Sequence, residues 1–259
     1  MNHPNNRYDS GASRISLQDR EAPDFTIGVI SIPSKAAFFD LDGTLTSAHV
    51  WQGIMDYFRV HNSRQWTHRI YMTYHFPLYI LRKIGVISDQ AFRKPWPAHL
   101  GWYLRGYTLS EADQIWDWVA ETKVRKTWRA DTCQILNQHH EKGEMTVLVS
   151  GTPVPLLKRL AEDIHADHVV GTELEIKEGI FTGRNSSPAC IGDNKVILIR
   201  IYMEQKGFKI DYGASYAYAD SVSDQYLLTM VGNPVATYPD EALRQIAIER
   251  GWQIFPSGR

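Results

Sequence analysis

Short apolar runs that break off into polar turns mark three places along this chain. Lys35-Ala-Ala-Phe-Phe-Asp40 ends abruptly in Asp-Leu-Asp-Gly-Thr, Met145-Thr-Val-Leu-Val149 runs into Ser150-Gly151-Thr152, and Ser215-Tyr-Ala-Tyr-Ala219 runs into Asp220-Ser221. Such runs predict strands buried on both faces. Between them the period changes: Leu156, Leu157 and Leu160 within 155–163, and Val196, Ile199 and Met203 within 195–206, recur at helical spacing with charges between. Strand and helix therefore alternate. This predicts an α/β fold, an open and mainly parallel sheet covered by helices, with ligands bound beyond the carboxyl ends of the strands. Residues 172–182 read instead as a small hairpin turning at Glu178-Gly179.

The stretch from Ser47 to His140 has a different texture. Helices are predicted over 51–60, 64–81, 89–100 and 110–139, punctuated by Pro77, Pro95, Pro97 and the 101–106 region. It carries 12 Lys+Arg against 7 Asp+Glu, a net of +5, while the rest of the chain, by difference from 28 and 29, carries 16 against 22, a net of -6. Seven of the eight tryptophans (Trp51, Trp66, Trp96, Trp102, Trp116, Trp118, Trp128) fall within it. A composition shift of this kind predicts a separate helical unit with its own aromatic core, inserted after the first strand. The expected organisation is a flexible N-terminal arm over 1–30, an α/β core over 31–46 and 141–259, and a helical cap over 47–140.

Overall composition narrows the class. The 259 residues are 43% hydrophobic and 22% charged, the profile of a globular protein rather than a disordered one. A net charge of -1 gives no global bias toward nucleic acid or an anionic membrane. Cys133 and Cys190 cannot make a disulfide framework or a paired zinc site, which favours a reducing, cytoplasmic setting. The first 25 residues lack the basic start and apolar stretch of a secretory signal. No run approaches the roughly 18 apolar residues of a membrane span; 79–86, the most apolar, is broken by Arg82 and Lys83. A soluble protein without stable membrane insertion is expected.

The candidate chemistry lies at the three strand ends. Asp40 and Asp42 lean to the same side if the strand geometry persists through them. Two carboxylates so placed can divide labour, one attacking an electrophile such as phosphorus while the other moves a proton. A lone D-x-D is a weak signal, as common in turns and caps. Its company strengthens it. Ser150, Gly151 and Thr152 offer a hydroxyl and backbone N–H groups ahead of a helix, a natural anion pocket. Asp220 and Asp224 add carboxylates at the same sheet edge, a concentration of negative charge that implies a hard divalent cation; Mg²⁺ suits oxygen ligands and a substrate phosphate. Lys195 adds a positive charge that can steady a transferring phosphoryl group.

FFDLDGTLT, LVSGT, GDNK and YADSVSD, in that order, resemble the four motifs of the haloacid dehalogenase superfamily, and the resemblance spans nearly all of 36–255. The helical insert after the first motif, with GTELEIKEGIFTGR preceding GDNK, resembles the phosphoserine-phosphatase-like branch, subfamily IB, with its helical cap. The resemblance implies that Asp40 is the nucleophile and Asp42 the general acid and base. It implies that Ser150 and Gly151, with Thr152 beside them, hold the phosphoryl oxygens, and that Lys195 braces nucleophile and phosphate. Mg²⁺ would take the Asp40 carboxylate, the Asp42 carbonyl and the Asp220 carboxylate, with Asp224 in support. Lys158 is the weaker candidate for the lysine role.

The chain departs from the pattern in two places. Ala219 stands where many relatives have glycine, and Gly43 and His49 stand where phosphoserine phosphatases have serine and a substrate-binding glutamate. Without that glutamate nothing there pairs with an amino group, which argues against phosphoserine itself. Within the insert, Arg59, Arg64, Arg69 and His49 are candidate substrate contacts. His61, His68 and His75 recur every seven residues on a predicted helix and are expected at the surface. The expected function is a Mg²⁺-dependent phosphatase acting on a small phosphorylated metabolite, with no nucleic-acid partner. The competing readings are a phosphotransferase or mutase using the same phosphoaspartate, and a non-catalytic binding module whose aromatic, basic insert is the interaction surface.

Overall fold

The computed structural model describes residues 34–87 and 99–257. The expected N-terminal arm and most of the helix expected over 89–100 lie outside the described residues. Eight strands are present among the described residues: β1 (Ala36–Phe39), β2 (Met145–Pro153), β3 (His168–Thr172), β4 (Leu174–Lys177), β5 (Ile180–Asn185), β6 (Tyr216–Ala219), β7 (Asn233–Thr237) and β8 (Gln253–Phe255). Six of them form one sheet in the order β3-β2-β1-β6-β7-β8, every pairing parallel. The remaining pair, β4 and β5, is the antiparallel hairpin expected from Glu178-Gly179. Because β2 and β6 flank β1 on opposite sides, the chain reverses its winding direction at β1. A crevice opens at the carboxyl ends of such a reversal.

All four side chains of β1 are buried, as parallel strands covered on both faces require. Successive side chains alternate between two apolar clusters. Ala37 and Phe39 join the cluster that holds Leu136 and Leu157 and continues into Ile54, Phe58, Tyr103 and Trp116 of the insert. Ala36 and Phe38 join the other, with Ile199, Met203, Leu227 and Leu243. The helices covering the sheet are α4 (Ala130–Glu141), α5 (Val154–Asp163), α6 (Asp193–Gln205), α7 (Gln225–Thr229) and α8 (Glu241–Arg250).

The insert contributes α1 (Val50–Val60), α2 (Gln65–Lys83), a 3₁₀ turn at Leu100–Leu104 and α3 (Leu109–Val119). A capping box starts α3: the Thr108 hydroxyl accepts from the Glu111 N–H at 3.2 Å, and the Glu111 carboxylate accepts from the Thr108 N–H at 2.8 Å. The single helix expected over 110–139 is in fact two. After α3 the chain passes through a π turn, Ala120–Val124, and a 3₁₀ turn, Arg125–Thr127, then extends at Trp128 and Arg129 before α4 begins. The break is held by the chain's own entry into the insert. Ser47 N–H donates to the Thr127 carbonyl (3.0 Å), Arg129 N–H to the Leu45 carbonyl (2.8 Å), and the Thr46 and Thr127 hydroxyls meet at 2.7 Å. The two crossings thus run side by side. Beyond them α4 returns to the sheet, where the Thr132 hydroxyl donates to the Thr44 carbonyl at 3.0 Å. Pro77, expected to interrupt its helix, lies inside α2 on the exposed side, where water can serve the carbonyl that a missing N–H leaves.

Candidate active site

Asp40 is the first residue beyond β1, and its N–H still donates to the Tyr218 carbonyl of β6 at 2.9 Å, so the strand's direction carries through it. The chain then turns tightly, the Leu41 carbonyl accepting from the N–H groups of Thr44, Leu45 and Thr46 at 3.3, 3.0 and 3.1 Å. Gly43 sits in this turn at φ +85, a conformation that side chains resist. It is also needed for space: a Cβ there would lie 2.0 Å from Asp220 Oδ2. A glycine that reads as a turn residue in the sequence thus also leaves the Asp220 carboxylate undisplaced beside the turn.

Lys195 enters that cluster from the first turn of α6, which follows Gly192 at φ 56 and ψ -131. Its ammonium, 3% exposed, donates to Asp40 Oδ1 at 2.6 Å and to Asp224 Oδ1 at 2.7 Å. Oxygen atoms of Asp40, Asp220 and Asp224 all lie within 4.8 Å of one another. Burial works against the charge on Lys195, but the attraction of Asp224 and Asp40 and its hydrogen bonds to both outweigh it and hold the ammonium above the usual lysine range. Burial raises Asp220 well above the ordinary carboxylate range, with repulsion from Asp40 and Asp224 adding to it. Asp40 is pushed up to about 6 by burial, with Lys195 pulling it down. One lysine does not neutralise three carboxylates. The donor set, all hard oxygen, fits a divalent cation such as Mg²⁺.

Asp42 is set apart from this cluster. Its Oδ2 accepts from the Val50 N–H, the first of α1, at 3.1 Å, so the N-terminus of the insert's first helix holds it. Its Oδ1 is buried with no hydrogen-bond partner. Burial, with repulsion from Asp40 added, pushes its pKa up to about 8. A carboxyl group in this state can hold a proton at neutral pH, while Asp40 beside it is tied to an ammonium.

Ser150, Gly151 and Thr152, expected as an anion pocket ahead of a helix, lie on an irregular strand end rather than in a polar turn. β2 continues through them to Pro153, with an irregularity in its pairing to β3 between Val149 and Pro153. The Ser150 hydroxyl accepts from the Thr152 N–H at 3.2 Å, and the Thr172 hydroxyl donates to the Gly151 carbonyl at 2.8 Å. The irregular strand end turns these residues toward the same cavity, about 410 Å³, that Asp40, Asp42, Lys195, Asp220 and Asp224 line. Lys158 lies elsewhere, exposed on α5. Ala219 ends β6 as a buried strand residue.

Of the candidate substrate contacts in the insert, the structure brings His49 to the cavity and leaves the three arginines outside it. Arg59 pairs with Asp56 at 2.6 Å, Arg64 donates to the Arg105 carbonyl at 2.5 Å, and Arg69 lies over the Trp66 ring at 5.0 Å. Among the described residues the cavity-lining cation of the insert is Arg82, accompanied by Trp51, Gln52 and Ile54. In the sequence Arg82 reads only as an interruption of an apolar run. Of the three evenly spaced histidines, His61 is exposed, His68 meets the Tyr103 hydroxyl at 2.7 Å, and His75 is fully buried against His99 at 3.1 Å. The surface expectation fails for His75 because α2 turns that side onto the 3₁₀ turn at Leu100–Leu104.

A parallel α/β sheet whose winding reverses at β1 places a ligand crevice at the carboxyl ends of its strands, and here an acidic cluster lines it. Comparison with known proteins gives the family. A profile described as haloacid dehalogenase-like hydrolase matches residues 37–229, and the chain belongs to that family. The chain is 30% identical over 228 residues to the Inhibition of morphological differentiation protein of Streptomyces azureus, covering 86% of this chain and 79% of that one. It is 30% identical over 234 residues to Phosphoserine phosphatase SerB1 of Mycobacterium tuberculosis (strain ATCC 25618 / H37Rv), covering 85% and 70%. A protein with unknown function from Bordetella pertussis Tohama I shares the fold, with a TM-score of 0.74 at 23% identity over 86% of this chain and 98% of that one. The chain is an enzyme of this family's phosphatase kind.

Proposed function

We propose that the chain is a Mg²⁺-dependent phosphomonoester hydrolase that works through a phosphoaspartate on Asp40. The observation that carries this reading is the pairing of one buried ammonium, Lys195, with Asp40 at 2.6 Å while Asp42, two residues on, is held apart with its pKa raised to about 8. Lys195 fixes Oδ1 of Asp40, which leaves Oδ2, 3.4 Å from the Thr44 hydroxyl, as the attacking atom. Attack on phosphorus breaks the ester P–O bond, and the leaving oxygen takes the proton of Asp42. The Asp42 carboxylate then draws a proton from water, whose oxygen attacks phosphorus and releases Asp40 and phosphate. Ser150, Gly151 and Thr152 would bind the phosphoryl oxygens, and Lys195 would balance their charge. Asp40 and Asp220 through their carboxylates, and Asp42 through its carbonyl, would hold Mg²⁺, with Asp224 in support. When bound, the ion supplies charge stabilisation to the phosphoryl group.

The insert over 47–140, ahead of its last helix α4, which packs on the sheet, would close the site and select the leaving group. Among the described residues no carboxylate of the insert lines the cavity; His49, Trp51, Gln52 and Arg82 do. A small phosphomonoester with an apolar or ring-bearing alcohol fits that wall better than phosphoserine, whose amino group would meet no acid among the described lining residues of the insert. Purified protein should release p-nitrophenol from p-nitrophenyl phosphate with Mg²⁺ and cease to do so in EDTA. Asp40→Asn should lower kcat by roughly 10⁴-fold or more. Near-full turnover by Asp40→Asn would remove the nucleophile and the proposal with it.

A further inference from the structure

The insert carries a second feature that lies outside the cavity. Along α2, Tyr71 and His75 are buried, and the opposite side is a row of large apolar side chains in water: Trp66 is 73% exposed, Ile70 60% and Ile84, just past the helix, 65%, with Tyr74, Phe76 and Ile80 between them. The spacing 66, 70, 80, 84 keeps the first and last of these on one stripe of the helix. Proteins rarely leave an apolar strip of this length on a helix facing water without a use for it.

The charges around the strip are of one sign. Residues 57–88 contain Arg59, Arg64, Arg69, Arg82 and Lys83 and no Asp or Glu; Arg69 and Lys83 flank the strip, whereas Arg59 pairs with Asp56 and Arg82 lines the cavity. Arg69 stacks on the Trp66 ring at 5.0 Å, so a cation is seated directly at the edge of the apolar strip. No helix among the described residues is long and apolar enough to cross a membrane. A helix with an apolar outer face, Trp and Tyr among its outward residues and an excess of positive charge is suited to lying in the plane of an anionic bilayer surface. A second copy of the chain fits less well, since a two-fold contact through this face would bring together the cations that flank it, Arg69 and Lys83 of each copy, with no acid within 57–88 to pair them.

We propose that α2 is a docking surface for anionic lipid bilayers, with Trp66, Ile70, Ile80 and Ile84 entering the headgroup boundary and Arg69 and Lys83 facing the lipid phosphates. The opposite side of α2 supports the cavity, where Arg82 lies, so docking would hold the enzyme with one helix between bilayer and site. This proposal does not depend on the phosphatase reading.

The test is co-sedimentation of the purified full-length protein with vesicles of phosphatidylglycerol and phosphatidylcholine, against vesicles of phosphatidylcholine alone. The protein should pellet with the first, at least about tenfold more weakly with the second, and be released as salt rises. The triple variant Trp66→Ser, Ile70→Ser, Ile84→Ser alters only exposed positions. It should stay in the supernatant while its turnover of soluble p-nitrophenyl phosphate is unchanged, and Arg69→Glu with Lys83→Glu should do the same. Wild-type protein that stays in the supernatant with anionic vesicles overturns the proposal. So does a wild-type dimer, seen by analytical ultracentrifugation, that the triple variant dissociates while vesicle binding persists, which would assign the face to a second copy.

Discussion

The floor of the cavity and the insert beside it are held together by opposite means. At the floor, three carboxylates and one ammonium are packed out of water within a few ångströms, and burial raises the pKa values of Asp40, Asp42 and Asp220. In the insert, the stabilising contacts are between rings: Phe58 on Tyr103 at 5.3 Å, Tyr71 on Tyr103 at 5.3 Å, and Tyr57 edge-on to Trp118 at 5.6 Å. The ion pairs that the insert makes, such as Asp113 of α3 with Arg159 of α5 at 2.6 Å, sit at the surface, where they add little. The difference shows where stability and chemistry are in tension. The floor carries an electrostatic cost of burial that its one ammonium offsets only in part, and the apolar clusters on both sides of the sheet support it.

The largest test of that contrast is in the insert. Trp116, 1% exposed in the shared apolar cluster, should lower unfolding free energy by about 3–5 kcal/mol when changed to Ala. Urea denaturation followed by circular dichroism measures it, and a cost below about 1 kcal/mol would mean the insert is not held by its rings. Lys195→Met should cost about 3 kcal/mol without metal, because it strands Asp40 and Asp224. Added Mg²⁺ should recover part of that loss, whereas turnover should remain low; a variant more stable than wild type would show that the floor is not held by its ion pairs. The smallest effect is expected at the start of α3, where Thr108→Ala removes one half of the capping box and should cost about 1 kcal/mol with kcat unchanged.

Much of the floor is legible in the linear chain. Asp40 and Asp220 each follow a strand that ends in a polar turn, and Lys195 opens a run of helical spacing over 195–206; such signals depend only on neighbours in sequence. The insert is legible only in outline. Its helices announce themselves through apolar spacing, but the break at 120–129 does not, because the π and 3₁₀ turns there, five and three residues long, are too short to show a period of their own. Arg82 and His75 are misread for a related reason: which side of α2 faces the cavity, the 3₁₀ turn or water is set by packing, not by the helix.

By itself, then, the sequence determined the alternation of strands and helices, the family motifs and the chemical type of each reactive group, all of which follow from residues a few positions apart. Only the tertiary structure decided that Gly43 lies where a Cβ would displace the Asp220 carboxylate, that the N-terminus of α1 grips Asp42, and that α2 turns Trp66 and Ile70 outward. These depend on elements distant along the chain coming within van der Waals reach, and local propensity carries no information about such distances.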